Sequence, residues 1–259
     1  MSPWLLSNFP SAQFDNFGSR RASAWLGLAK ICRRALPQSC ALCAAPCGSL
    51  LVCPACCAGL PRIAGACPLC ALPAPGAAVC GACLARPPPF AAAFAAFAYA
   101  FPLDRLLQAF KYGGRLSHAD FFAEALGARV AQRPAGMPWP DALVALPLAP
   151  ARQRARGFDQ AAEIARRLAR ITGVPLAAGL RRTRDTPAQA ALPWKERTRN
   201  VRGAFAADSS LGGQRIAIVD DVMTTGATLA SAAGAVLRAG ALGVEVWAVA
   251  RTLPPAQLL

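Results

Sequence analysis

All eleven cysteines of this 259-residue chain fall between Cys32 and Cys83, and eight of them repeat. They form four C-x-x-C pairs: Cys40 with Cys43, Cys53 with Cys56, Cys67 with Cys70 and Cys80 with Cys83. Nine residues separate the first pair from the second, nine separate the third from the fourth, and the whole pattern recurs at an offset of 27. A C-x-x-C turn brings two thiolates close enough to share one ion at about 2.3 Å, and two such turns complete a tetrahedron. The block therefore predicts two zinc ions, each held by four cysteines. The equal offset favours Cys40, Cys43, Cys53 and Cys56 for one ion and Cys67, Cys70, Cys80 and Cys83 for the other. An interleaved arrangement, first pair with third and second with fourth, fits the counts as well. Four thiolates leave no coordination position for water, which makes the sites structural. Redox C-x-x-C motifs do not come four at a time, and disulfides belong to oxidising compartments, so metal is the stronger reading. Cys32, Cys47 and Cys57 stand outside the repeat and read as small buried apolar residues.

Charge decides which part of the chain can meet an anion. The chain carries 28 Lys+Arg against 13 Asp+Glu, a formal net charge of +15. Residues 40–83 contribute a single charged side chain, Arg62. With eight thiolates and two Zn2+ that block stands at about −3, a poor footprint for nucleic-acid phosphates. It reads instead as a small metal-stapled docking or interaction module. From Ala151 to Gly203, by contrast, thirteen Lys/Arg face four Asp/Glu, a net +9.

At 55% hydrophobic the chain can bury a large core, which excludes wholesale disorder. Its longest apolar run, Phe90 to Phe101, is twelve residues, short of the roughly 18 to 20 that span a bilayer. The first 35 residues hold Asp15, several Arg and no continuous apolar stretch, so neither a secretory leader nor a membrane span is expected, and the cytoplasm is the expected location. Composition shifts near Pro87-Pro88-Pro89. Three regions follow: a variable N-terminal segment with a short helix (1–38), the double zinc ribbon (39–86) and an α/β domain (87–259).

Within the last region, Leu103, Leu106, Leu107 and Phe110 recur at helical spacing up to Gly113-Gly114. A second helix is expected over 117–132, capped by Ser117-x-x-Asp120, with His118, the only histidine, on the solvent side of its first turn. Ala142–Leu146 reads as a buried strand, and 160–171 as a helix with Arg166, Arg167 and Arg170 outward. Arg215–Val219, Thr228–Ala239 and Val244–Ala250 then read as strand, helix and strand. Such alternation implies right-handed crossovers and a mostly parallel sheet.

The strand ending at Val219 runs into Asp220-Asp221-Val-Met-Thr224-Thr225-Gly226-Ala227-Thr228. A Thr/Gly loop opening a helix lets backbone N–H groups and hydroxyls wrap a phosphate. Two carboxylates at the carboxyl end of a parallel strand can accept from sugar hydroxyls or approach a hydrated Mg2+. An ordinary helix cap would need neither the second acid nor three threonines.

Residues 216–228 resemble the 5-phosphoribosyl-1-pyrophosphate (PRPP) motif of type I phosphoribosyltransferases. With the double four-cysteine block, the chain resembles the ComF/GntX family of competence-type proteins. The resemblance runs from Cys40 to Arg251 and includes Arg156-Gly157-Phe158-Asp159-Gln160, similar to the family's R-G-F-N-Q, and Arg182-Thr-Arg184-Asp185-Thr186-Pro187-x-Gln189. Asp159 departs from the usual Asn and adds a negative charge beside an anion site. The resemblance implies a phosphoribosyltransferase-like, mostly parallel sheet flanked by helices. It implies that Asp220 and Asp221 hold the ribose hydroxyls and that Thr224, Thr225, Gly226, Ala227 and Thr228, following Val219, hold the 5-phosphate. Pyrophosphate would fall to the loop after Leu146, with Arg152, Arg154, Arg156 and Gly157, and the segment Arg181 to Asn200 would close over the substrate. Because Arg152, Arg154 and Arg156 precede the expected helix, a solvated helix face explains them poorly. Asp220, Asp221, Arg152 and Arg154 form the candidate catalytic set, with Mg2+ accompanying PRPP. Two functions remain: phosphoribosyl transfer to a nitrogen acceptor, or non-catalytic PRPP or nucleotide sensing or single-stranded-DNA handling with the competence machinery. Trp139 and Trp194 are candidate stacking residues for the latter, though they are too few to show a platform.

Overall fold

A computed structural model describes residues 38–184 and 203–254. The short helix expected within 1–38 lies outside the described residues, as do Cys32, Trp194 and most of the Arg181–Asn200 segment. Two compact units divide the chain, Met1–Leu60 and Pro61–Leu259.

In the first unit, β1 (Gln38–Ser39) pairs antiparallel with β2 (Pro46–Gly48), and a short helix α1 (Pro54–Ala58) follows. The second unit opens with a similar turn and helix, α2 (Gly81–Ala85), and continues into the α/β body. There the chain runs β3 (Ala92–Ala98), α3 (Leu103–Tyr112), α4 (His118–Ala131), β4 (Ala142–Ala145), α5 (Pro150–Arg156) and α6 (Gln160–Thr172). After these come β5 (Leu180–Arg182), β6 (Phe205–Ala207), β7 (Arg215–Met223), α7 (Ala227–Arg238) and β8 (Gly243–Arg251).

Four strands form a wholly parallel sheet in the order β3-β8-β7-β4, while β5 and β6 make a separate antiparallel pair. The apolar run at Phe90–Phe101 supplies β3, every residue of which is buried although it lies at the sheet's edge. Its open side is covered: Ala93 and Ala98 N–H donate to the Pro68 and Pro61 carbonyls at 2.8 and 2.7 Å, which removes a free edge that would otherwise template pairing. On one face of the sheet α7 packs Leu229, Ala232, Ala233 and Val236 against Val144, Ile216, Ile218, Val244 and Val246. On the other, α4 and α6 pack on the strands and on each other. Gly127 allows that approach, since a Cβ there would sit 3.0 Å from Ile171 Cγ2. No described helix is long and apolar enough to cross a membrane.

Three expectations fail here. His118 is 1% exposed rather than on the surface; its ring packs beside Phe122, one turn along α4. Burial and the nearby Arg115 charge hold its pKa below the usual histidine value. Ser117 does not cap α4, because its own backbone is already helical and its side chain makes no capping bond. Asp120 instead accepts from Arg167 Nε at 2.8 Å. Arg167 is thereby withdrawn from the solvated face: Glu163 of its own helix holds it, and its pair with Asp120 ties α6 to α4.

Candidate functional site

The carboxyl end of the parallel sheet gathers groups from four elements. The ladder between β7 and β8 continues to Met223 opposite Arg251, so β7 extends through both acids rather than ending at Val219. Successive strand residues leave opposite faces of a sheet. Asp220 therefore shares the α7 face with Ile216 and Ile218, and Asp221 takes the other. Asp221 meets Lys111 from the last turn of α3, with Nζ to Oδ2 at 3.0 Å. Burial pulls the Lys111 pKa down, but the Asp221 charge and hydrogen bond outweigh it and leave it above its ordinary value. Burial, then the Asp221 charge, push Asp220 well above the usual carboxylate range, against the Asp221 N–H that donates to it at 2.8 Å and the Lys111 charge. The two acids are thus unequal: Asp220 gives up its proton less readily than an ordinary carboxylate, and Asp221 is salt-bridged. As oxygen donors they are the kind of ligand Mg2+ accepts.

After Met223 the chain turns through Thr224 and Thr225 to Gly226, whose φ of +83° is left-handed, and enters α7. The Ala227 N–H donates to Thr225 Oγ1 at 3.2 Å. This places the first-turn N–H groups and positive dipole end of a twelve-residue helix at the carboxyl end of the sheet, a ready anion site.

The segment after Leu146 is not an open loop. Residues 150–156 form α5, which ends on Gly157 at φ 78°. Arg152, Arg154 and Arg156 thus lie on this short helix, the physical reason being Pro150 at its first turn and Gly157 at its end. Arg154 is exposed. Arg156 donates to Gln160 Oε1 at 2.8 Å and its guanidinium lies 5.2 Å from the Tyr112 ring centre. Asp159 uses both oxygens: Oδ1 accepts from Ala162 N, capping α6, and Oδ2 accepts from Leu148 N, at 3.0 and 3.1 Å. Val219 is fully buried, and its carbonyl accepts from Leu146 N at 2.9 Å.

The cysteines assemble into two groups, Cys40, Cys43, Cys53 and Cys56, and Cys67, Cys70, Cys80 and Cys83, the sulfurs of each within 4.8 Å of one another. The grouping is sequential, not interleaved. The 27-residue repeat reaches the hydrogen bonds: Cys53 N donates to Cys40 Sγ at 3.3 Å and Cys80 N to Cys67 Sγ at 3.4 Å. Ala44 and Ala71, one repeat apart, both adopt positive φ, 61° and 56°. Burial raises the Cys40 thiol, but the Cys53, Cys43 and Leu42 amides more than offset it and bring it down to about 6. Cys67 comes to about 7 in the same way, against burial, through the Cys80, Leu69 and Cys70 amides. Each cluster so offers one ready thiolate, and four sulfurs at this spacing can hold one tetrahedral ion. Cys47 and Cys57 are half-buried rather than buried, and the Cys47 thiol donates to the Leu50 carbonyl at 3.0 Å.

Lys111 and Tyr112 escape sequence reasoning because they look like an ordinary helix end before two glycines. Arg251 leaves a trace, a basic residue closing a mostly apolar strand. Trp139 packs edge-on against Trp247 and stacks with Arg133, so it is already engaged in the fold.

The Escherichia coli (strain K12) DNA utilization protein YhgH is 37% identical to this chain over 158 residues, 60% of the chain and 70% of that protein. The chain belongs to the ComF/GntX family. Competence protein F of Haemophilus influenzae is 32% identical over 159 residues, 59% of this chain and 69% of its own length. In this ComF-family chain the α/β unit is a parallel sheet flanked by helices, and the two four-cysteine clusters fit a double zinc ribbon. No protein-family model matches the chain. Among solved structures, the Bacillus subtilis glutamine PRPP amidotransferase aligns with a TM-score of 0.36 at 24% identity, over 54% of this chain and 30% of that one. A purine phosphoribosyltransferase from Pyrococcus horikoshii gives 0.30 at 20% identity, over 54% and 85%. The family assignment rests on the sequence relatives.

Proposed function

We propose that the chain binds PRPP with Mg2+ at the carboxyl end of its sheet and transfers the phosphoribosyl group to a nitrogen acceptor, releasing pyrophosphate. Each four-cysteine cluster would hold one structural zinc ion. The observation that carries the first reading is the run of β7 through Asp220 and Asp221 into the Thr224–Thr228 turn and the N-terminus of α7.

In this reading the α7 N–H groups and threonine hydroxyls hold the 5-phosphate, and Asp220 and Asp221 orient the ribose diol. Lys111 pairs with Asp221 and fixes it in place, so the sugar meets a preset acceptor. In transfer the bond from the anomeric carbon to pyrophosphate breaks and a bond to the acceptor nitrogen forms. Positive groups on α5, Arg152 and Arg154, would stabilise the charge growing on the leaving pyrophosphate. Mg2+, bound with PRPP, would neutralise part of that same charge.

A second reading has support in the names of the relatives, which concern DNA utilization and competence. Here the same site senses PRPP or a nucleotide, or the net +9 stretch handles single-stranded DNA. Titration with PRPP and Mg2+, followed by a pyrophosphate-release screen over nucleobases, separates them. Release with one base supports transfer, and saturable binding without release by any base favours the binding protein. Absence of PRPP binding removes the enzyme.

A further inference from the structure

Arg251 closes β8 and is 2% exposed. Among the described residues its hydrogen bonds all go to backbone carbonyls. Nε donates to Cys70 at 2.8 Å, while Nη1 donates to Met223 at 3.1 Å, to Thr252 at 2.9 Å and to Thr224. One edge of the guanidinium thus grips the turn carrying Cys67 and Cys70, and another grips the start of the candidate phosphate loop. A buried guanidinium needs acceptors and a countercharge. The carbonyls supply the first. A zinc ion with four thiolates would carry a formal charge of −2, and the Cys70 carbonyl that Arg251 holds belongs to one of those four ligand residues. A cavity of about 810 Å³ is lined by Cys70, Cys83, Thr225, Gly226 and Arg251 together. Cluster and loop therefore face open space there, and the hydrogen bonds of Arg251 weigh more in holding them in register.

We propose that Arg251 is a positioning residue that couples the metal state of the Cys67, Cys70, Cys80 and Cys83 cluster to the shape of the Thr224–Thr228 loop. Losing the ion frees the Cys70 turn, so the guanidinium fork loses one anchor and the loop carbonyls loosen. The other cluster, in the first unit, has no part in this strut. The effect on ligand affinity rests on the PRPP reading above; the coupling itself needs only the loop and the cluster.

Amide hydrogen exchange of residues 223–230 in the zinc-loaded full chain tests it. Arg251→Lys keeps the charge but not the fork, and should retain two zinc ions while these amides exchange about tenfold faster or more. Interior amides of β4 and β7 should stay protected, which sets the effect apart from global loosening. Cys83→Ser should loosen the same loop, and Cys43→Ser should not. Should Arg251→Lys fail to fold, stepwise chelation of the unmodified chain serves instead, and loosening must follow zinc release from the second cluster. Unchanged loop exchange in Arg251→Lys, loop exchange indifferent to second-cluster zinc, or equal loosening in Cys43→Ser would overturn the proposal. A loop that loosens as expected in a protein that never binds PRPP would uphold the coupling and sink the PRPP reading instead.

Discussion

Asp220 and Asp221 are neighbours in sequence but differ in what surrounds them, and substitutions should reveal it. Between the ordinary carboxylate range and the raised value of Asp220, the native chain holds a proton that the unfolded chain has lost. Stability therefore falls as pH rises through that window, and the whole cost is present above it. Asp220→Asn removes that slope. It should gain about 1 kcal/mol at neutral pH, or about 3 °C in Tm for a domain of this size. Thermal melts of both proteins from pH 4 to 8 check this, and parallel Tm–pH curves would contradict it. Lys111→Met acts in the opposite direction, leaving the buried Asp221 without its cation. It should lose about 2 to 3 kcal/mol in urea unfolding, and a loss under about 0.5 kcal/mol, the range of an exposed pair, would contradict the assignment.

At the scale of elements, Asp159 joins the start of α6 to the chain leaving β4 by giving one carboxylate oxygen to each. An asparagine has a single acceptor oxygen. Asp159→Asn should therefore lose one of the two bonds, about 1 kcal/mol, and Asp159→Ala both, about 2 kcal/mol. Equal stability of Asp159→Asn and the parent in denaturant titrations would show that the second bond contributes nothing. This also explains a residue that stands out in the sequence only as a departure from the family's asparagine. Much of the fold is legible in the same way. The helices around β4, β7 and β8 follow from apolar periodicity and those strands from short apolar runs, and the cysteine repeat reappears as a repeat of hydrogen bonds. What stays hidden depends on distant partners. Nothing local marks His118 as buried, since only the packing of α4 into the body encloses it. The α5 helix leaves no signal because seven residues with no buried side chain carry no apolar period. Lys111 acquires its meaning only when α3 is set beside β7.

Over the whole molecule, charge and metal are separated along the chain. The cysteine repeat predicts two zinc ions per chain by elemental analysis, falling to about one in Cys67→Ser; protein purified without chelator and free of zinc would refute this. The net +9 between Ala151 and Gly203 predicts where single-stranded DNA would bind. Paired Arg152→Ala and Arg154→Ala should weaken anisotropy-detected oligonucleotide binding and flatten its salt dependence by about 0.7 in log–log slope for each phosphate no longer neutralised. Pyrophosphate should compete for the same arginines, and binding indifferent to both would move the DNA surface elsewhere.

The central claim is that β7 and the turn after it form a PRPP site. Calorimetric titration of the zinc-loaded full chain with PRPP in Mg2+, beside Asp220→Asn/Asp221→Asn, tests it most directly. One saturable site in the parent, lost in a double variant that keeps its native circular dichroism, is the predicted result. No saturation in the parent, or equal affinity in the two proteins, would contradict it.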